Sequence, residues 1–108
     1  MAYYVNGADK GKPTKKAAQR IHAKKRAQKR FRLNLTREVR GEMIGKIQNG
    51  QTVLVEKRSL RTAVHMMVVS HQLMLVVYDK DRHEIVTLLK PEKKHILLAR
   101  QHGLTPQT

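Results

Sequence analysis

The hydrophobic pattern of this chain changes its period once, near Asn49 and Gly50, and that change limits the possible folds more than any other feature. Before it, apolar residues recur every three or four positions, the spacing of one face of an α-helix. After it, short segments rich in long or β-branched apolar residues alternate with polar turns, which is typical of β-strands. The sequence therefore predicts helices followed by a sheet, an α+β arrangement.

Two helices are predicted before the change of period. The first covers residues 14–31, which contain no Gly or Pro, and its row of Ala23, Ala27 and Phe31 should face the core. Thr36 can cap a second helix, which ends at the Asn-Gly pair. The two helices are expected to pack side by side on the sheet that follows them.

Four strands are predicted after the change, in hairpin succession, so the sheet should be an antiparallel meander. They cover residues 51–57, 61–69, 73–78 and 84–89. Alternate side chains of a strand point to opposite faces, so we expect one face to pack on the helices and the other to meet a ligand. Pro91 opens a short last helix with Ile96, Leu97 and Leu98 as its apolar patch, placed to cover a sheet edge.

The expected organisation is one domain with a charged extension. Residues 1–13 contain two glycines, Pro13 and two lysines, and are predicted to be a flexible basic tail. Residues 14–108 should form a single domain, in which two N-terminal helices pack on a four-stranded antiparallel sheet and a short C-terminal helix follows.

The charge of the chain is strongly positive and uneven. The formal net charge is +15, and residues 1–32 hold eleven Lys and Arg against Asp9 alone. Such a field concentrates polyanions, and nucleic acids are the most abundant polyanions in cells. The predicted partner is RNA, or DNA, bound through the basic first helix, and an acidic protein would also fit.

Several classes of function are disfavoured. Without cysteine the chain has no disulfide framework and no thiolate zinc site. Its carboxylates are scattered except for Asp79, Asp81 and Glu84, which belong to a predicted hairpin turn, so neither a metal ion nor another cofactor is expected. There is no apolar run long enough to span a bilayer and no export signal, which predicts a soluble cytoplasmic protein without a membrane partner. Phosphate-binding glycine loops and nucleophile elbows are also missing from the sequence.

One imidazole lies within the dense cationic stretch of the first helix. His22 and Arg26 are four residues apart and should share a helix face with Lys29. Cleavage of RNA without a metal needs a group that accepts the proton of the 2'-hydroxyl and cations that stabilise the crowded phosphate. Neighbouring cations disfavour protonation of His22, so it could accept that proton. A solvent-facing histidine with no role is the alternative.

The order of parts resembles a known superfamily. A His22-x-x-x-Arg26 helix and a second helix ending at residues 47–50 precede strands that close on residues 76–79 and 84–89. From about His22 to Leu89 this resembles the small metal-independent RNases of the barnase/EndoU/colicin/RelE superfamily, especially colicin D-like and contact-dependent toxin domains. The pattern also looks like some phage-encoded accessory proteins.

The resemblance implies roles for particular residues. His22 would be the catalytic histidine of the first helix, Thr87 on a late strand would help to line the site, and the sheet would add basic residues. Candidates for those basic residues by position are Lys57, Arg58 and Arg61. The resemblance also leaves room for a protein inhibitor as a partner.

Three hypotheses follow from the sequence. In the first, the protein is a metal-independent endoribonuclease in which His22 accepts the proton, Arg26 and Arg61 hold the phosphate, and Thr87 orients the reacting group. The nucleic acid would be bound by Lys15, Lys16, Lys25, Lys29, Arg30, Lys57 and Arg58. In the second, a non-catalytic nucleic-acid-binding or packaging protein neutralises phosphates with residues 10–32. In the third, a basic regulator docks on an acidic protein of the host.

Overall fold

The computed structural model describes residues 15–104, with side chains from residue 17 onward, so the predicted tail of residues 1–13 lies outside the described residues. The elements are α1 (Lys15–Phe31), α2 (Arg37–Gln48), β1 (Val53–Lys57), β2 (Thr62–Val69), β3 (Gln72–Asp79), β4 (Glu84–Leu89) and α3 (Lys93–Gln101). The predicted α+β fold is confirmed, and element boundaries differ from the sequence prediction by at most two residues at the strand ends. No helix between residues 15 and 104 has the length and apolar character needed to cross a bilayer.

The sheet is an antiparallel meander in the order β1-β2-β3-β4. Ser70 and His71 join β2 to β3 with φ of 50° and 63°, the sign that both residues of a type I′ hairpin turn require. The pairing of β3 with β4 shifts by one residue beside Val77 and Tyr78. Because of this bulge, simple alternation does not give the face of every β4 side chain.

The boundaries of α2 follow from local hydrogen bonding, as the sequence predicts. The Thr36 hydroxyl accepts from the backbone N–H of Val39 at 3.1 Å and caps the first turn. At the other end the backbone N–H of Asn49 donates to the carbonyl of Gly45, and Gly50 adopts a φ of +70°. Gly50 therefore ends the helix in a conformation that a side chain would disfavour.

One sheet face packs on α1 and α2, and the predicted row of α1 lies in that core. Ala23 and Ala27 are completely buried and Phe31 is nearly so. They pack with Met43 of α2 and with residues of three strands, namely Met67, Val69, Met74, Val76, Ile85 and Leu88. The two small alanines let the α1 backbone lie close to β4.

The second sheet face is also buried, so our expectation that it is free to meet a ligand is wrong along most of its length. Val64, Met66, Leu73, Leu75 and Val77 form a second core together with Ala99 of α3. The last helix therefore covers a face of the sheet, whereas we expected it at an edge.

The expected apolar patch of α3 is only partly correct. Ile96 and Leu97 are exposed and Leu98 is half-buried. His95 and Ala99, one helical turn apart, are the buried residues of α3.

A leucine at position 27 should destabilise the fold, because α1 has no space there for a larger side chain. We expect Ala27→Leu to lower the free energy of unfolding by about 1–3 kcal/mol, measured by urea denaturation. Ala18→Leu, on the exposed side of the same helix, is the matched control and should leave stability nearly unchanged. Equal stability of the two variants would contradict the close packing of α1 on β4.

Candidate functional site

The basic residues of α1 form an exposed cationic face. His22, Lys25 and Lys29 are exposed and Arg26 is half-buried. Arg26 Nε lies 3.4 Å from His22 Nε2, so the two residues share a face as the sequence predicts. The side chains of the candidates Lys15 and Lys16 lie outside the described residues.

Arg30 differs from the other basic residues of α1 because it bonds to the sheet. Its Nη1 donates to the carbonyl oxygen of Leu88 at 2.6 Å. Leu88 belongs to the outer strand β4, so Arg30 ties the end of α1 to that strand. Arg30 is thus a structural contact as well as a candidate for nucleic-acid binding.

The four predicted catalytic residues do not form one cluster. His22 and Arg26 contact each other, but no hydrogen bond or ion pair of the described residues joins either of them to Arg61 or Thr87. Thr87 pairs with Val77, whose side chain packs in the core beside α3. Directly paired residues share a sheet face, so Thr87 lies on the face opposite to α1.

A pocket of about 480 Å³ lies beside the turn between β1 and β2, on the sheet face that carries α2. We call it the hairpin pocket. Its polar lining includes the three cations Lys57, Arg61 and Lys80 and the three aromatic or imidazole side chains His65, Tyr78 and His83. Of the residues proposed from the sequence, Arg61 and Lys57 are therefore at this site, whereas Arg58 is not.

His65 is held in a defined position in the wall of the hairpin pocket. Its Nδ1 lies 2.8 Å from the hydroxyl oxygen of Thr52, and its ring packs edge-on against Tyr78 with centroids 6.2 Å apart. Burial lowers the pKa of His65 below its ordinary value, because the protonated form loses solvation. The imidazole is therefore neutral at pH 7 and has one nitrogen free to exchange a proton.

A second imidazole lies at the same pocket. His83 Nδ1 is 3.2 Å from the Tyr78 hydroxyl and 3.4 Å from Gln48 Nε2, and Gln48 Nε2 also donates to the Tyr78 hydroxyl at 3.3 Å. His83 is exposed in the turn after β3, with a φ of +52°. The buried phenol thus orients a histidine that solvent and ligands can reach.

Arg61 is fixed at the pocket by a buried carboxylate. Its Nε lies 3.4 Å from Asp79 Oδ2, and Asp79 is completely buried. Burial alone would raise the pKa of Asp79, but the backbone N–H of Arg82, the Gln19 amide and the charge of Arg61 outweigh it and lower that pKa. The charged carboxylate therefore restrains one edge of the guanidinium, and the other edge remains available to an anion.

Sequence reasoning missed most of the hairpin pocket, including His65, Tyr78, Lys80 and His83. A signal was present for one of them, because period two places His65 on the same strand face as Arg61. Tyr78 lies beside these residues because the register of β2 and β3 pairs it with Ala63. Within the part of the chain that is described, no three His, Asp or Glu side chains are grouped as metal ligands.

Comparison of the chain with protein-family models, curated proteins and solved structures finds no match. The resemblance to metal-independent RNases therefore stays a prediction from the sequence.

The depressed pKa of His65 can be measured directly. We expect its imidazole to titrate below about 6.5 in the folded protein, followed by NMR, because burial favours the neutral form. The same residue in urea is the control and should return to the ordinary value. A folded pKa at or above that of the unfolded chain would contradict the burial of this ring.

Proposed function

We propose that this protein binds RNA and cleaves it without a metal ion, at the hairpin pocket. One observation carries the proposal: His65 and His83 line the same pocket as three cations. Metal-independent cleavage of RNA requires a proton acceptor, a proton donor and positive charge around one phosphate. The residues of the hairpin pocket supply all three.

The proposed reaction is a transesterification. His65 Nε2 accepts the proton of the ribose 2'-hydroxyl, with Nδ1–H donating to Thr52. The 2'-oxygen attacks the adjacent phosphorus, and the bond from phosphorus to the 5'-oxygen breaks. His83, positioned by the Tyr78 hydroxyl 3.2 Å from its Nδ1, donates a proton from Nε2 to that leaving oxygen. The products are a 2',3'-cyclic phosphate and a 5'-hydroxyl.

The cations have two roles in this proposal. Lys57, Arg61 and Lys80 stabilise the negative charge that develops on the phosphate, and the fixed position of Arg61 reduces the cost of organising the site. The exposed cationic face of α1 increases the rate at which RNA reaches the protein. His22 is exposed beside these cations and does not line the pocket, so it takes no part in the proposed reaction.

The binding functions considered from the sequence use the same charges. A packaging protein would need the cations without the two imidazoles, and an acidic host protein or an inhibitor would dock on the same basic surface. We favour the ribonuclease because His65 and His83 are both oriented by hydrogen bonds at one pocket. Since its substrate is cellular RNA, we propose the cytoplasm as its location.

Two substitutions test the assignment of the imidazoles. We expect His65→Gln and His83→Asn each to lower the cleavage rate roughly 10²-fold or more, since each removes a proton-transfer group. The assay uses labelled tRNA and mRNA with a chelator present, and reads the 3' ends for a cyclic phosphate.

His71→Asn is the matched control for His83→Asn. Both histidines are exposed, lie in turns and have positive φ, which asparagine tolerates. His71→Asn and His22→Ala should keep the rate of the unchanged protein. If the unchanged protein does not cleave RNA, it is a binding protein. If His22→Ala is the variant that abolishes cleavage, His22 is the proton acceptor, as the sequence predicts.

The pH dependence of cleavage should report His65. As the pH falls through the lowered pKa of His65, the imidazole becomes protonated and can no longer accept the 2'-hydroxyl proton. On the acid side of the pH profile we therefore expect kcat/KM to decline below pH 6.5, and we expect the residual activity of His65→Gln to lack this decline. If kcat/KM of His65→Gln fell with the same midpoint pH as that of the unchanged protein, the proton acceptor would be another group.

A further inference from the structure

A second cavity lies on the opposite face of the sheet, between the strands and the start of α3. Its volume is about 400 Å³. Four apolar side chains, one from each strand, line it: Val55, Val64, Leu75 and Leu89. We call this cavity the α3 cleft. It is the part of the second sheet face that α3 leaves open.

Positive side chains from separate parts of the chain surround the α3 cleft. Arg30 comes from α1, Arg58 from the turn after β1, Lys90 from the segment after β4, and Lys94 from α3. Two carboxylates, Glu56 and Glu92, also line it, and Glu56 Oε2 lies 3.9 Å from Arg58 Nε. The cations exceed the acids by two, so the cleft favours an anion.

His95 adds a hydrogen-bond donor to this set. It is 7% exposed and lines the cleft, and its Nδ1 accepts from the backbone N–H of Glu92 at 2.9 Å. The neutral imidazole therefore has its proton on Nε2. Nε2 has no hydrogen-bond partner among the described residues. The His95 side chain is almost fully buried, and an acceptor oxygen placed in the cleft would satisfy its unpartnered donor.

We propose that the α3 cleft binds a phosphate group of the RNA chain, as a second site across the sheet from the hairpin pocket. The inference rests on the proposed function for the identity of the polymer. A phosphate oxygen would accept from His95 Nε2–H and pair with the cations, and the guanidinium groups of Arg30 and Arg58 suit two oxygens at once. The apolar floor would contact the sugar or base.

The positions of the cations favour a polymer over an isolated anion. Arg30 lies at the end of α1, so the cationic face that includes Lys29 leads directly to the cleft. On the other side, Lys57 lines the hairpin pocket and Arg58, the next residue, lines the α3 cleft. One RNA strand that crosses the β1–β2 turn could therefore contact both sites.

The test uses the full chain and an RNA that cannot be cut, a 2'-O-methyl oligonucleotide. We expect the double variant K90Q/K94Q to bind this RNA about tenfold more weakly, or weaker still, at low salt. We also expect the slope of log affinity against log salt concentration to fall by about 1.4, because two phosphate contacts to a single strand are lost. K93Q/R100Q is the matched control, because it removes two exposed charges from α3 that do not line the cleft.

A second measurement follows His95 itself by NMR during a titration with inorganic phosphate. We expect a saturable shift of the His95 imidazole signals, absent with equal chloride and lost in K90Q/K94Q. No shift at His95, or an equal loss of RNA affinity in K93Q/R100Q, would overturn the site. A phosphate shift combined with unchanged RNA affinity in K90Q/K94Q would assign the cleft to free phosphate and overturn its role in RNA binding.

The two proposals can fail separately. Binding is measured on RNA that has no free 2'-hydroxyl, so a protein that never cleaves can still show the α3 cleft site. Conversely, if cleavage depends on His65 and His83 while K90Q/K94Q leaves the affinity for RNA unchanged, the ribonuclease assignment stands and the second site is removed.

Discussion

Two buried carboxylates connect the helices, the sheet and the proposed site. Asp79 and Glu84 are direct partners across β3 and β4, and both are shielded from water. Glu84 is paired by Arg20 of α1 at 2.7 Å and by Arg40 of α2 at 3.4 Å, and Asp79 is paired at 3.4 Å by Arg61, the residue directly before β2. A buried carboxylate is costly unless it is paired, so α1, α2 and β2 must all meet at this end of the sheet.

The two carboxylates and their arginine partners determine the orientation of the helices on the sheet more than they add stability. A buried ion pair contributes little net stability relative to apolar packing, but loss of one partner is strongly disfavoured, so alternative placements of α1 are penalised. The apolar packing on both faces of the sheet supplies most of the stabilisation. Since the pKa of Asp79 lies below its ordinary value, the stability that its charge contributes is present at neutral pH and is lost only as the pH falls through that lowered pKa.

Local patterns in the sequence were sufficient for the elements and for one face of the core, but not for the second face. The row of Ala23, Ala27 and Phe31 and the cap at Thr36 depend on neighbours within a few residues, and both were predicted. In β2 both alternating sets are apolar, as Val64 and Met67 illustrate, which indicates burial on two sides. The expectation that α3, with its apolar run of residues 96–98, covers a sheet edge left no element to bury that second face.

The candidate site was predicted less well because charge density is visible in a sequence and long-range register is not. The cationic stretch around His22 suggested the chemistry, yet the hairpin pocket depends on pairing β2 with β3 and on the turn that brings His83 to Tyr78. Consecutive residues of a strand end point to opposite faces, so Lys57 and Arg58 line different cavities. The basic turn between β1 and β2 therefore offers cations to both faces of the sheet at once.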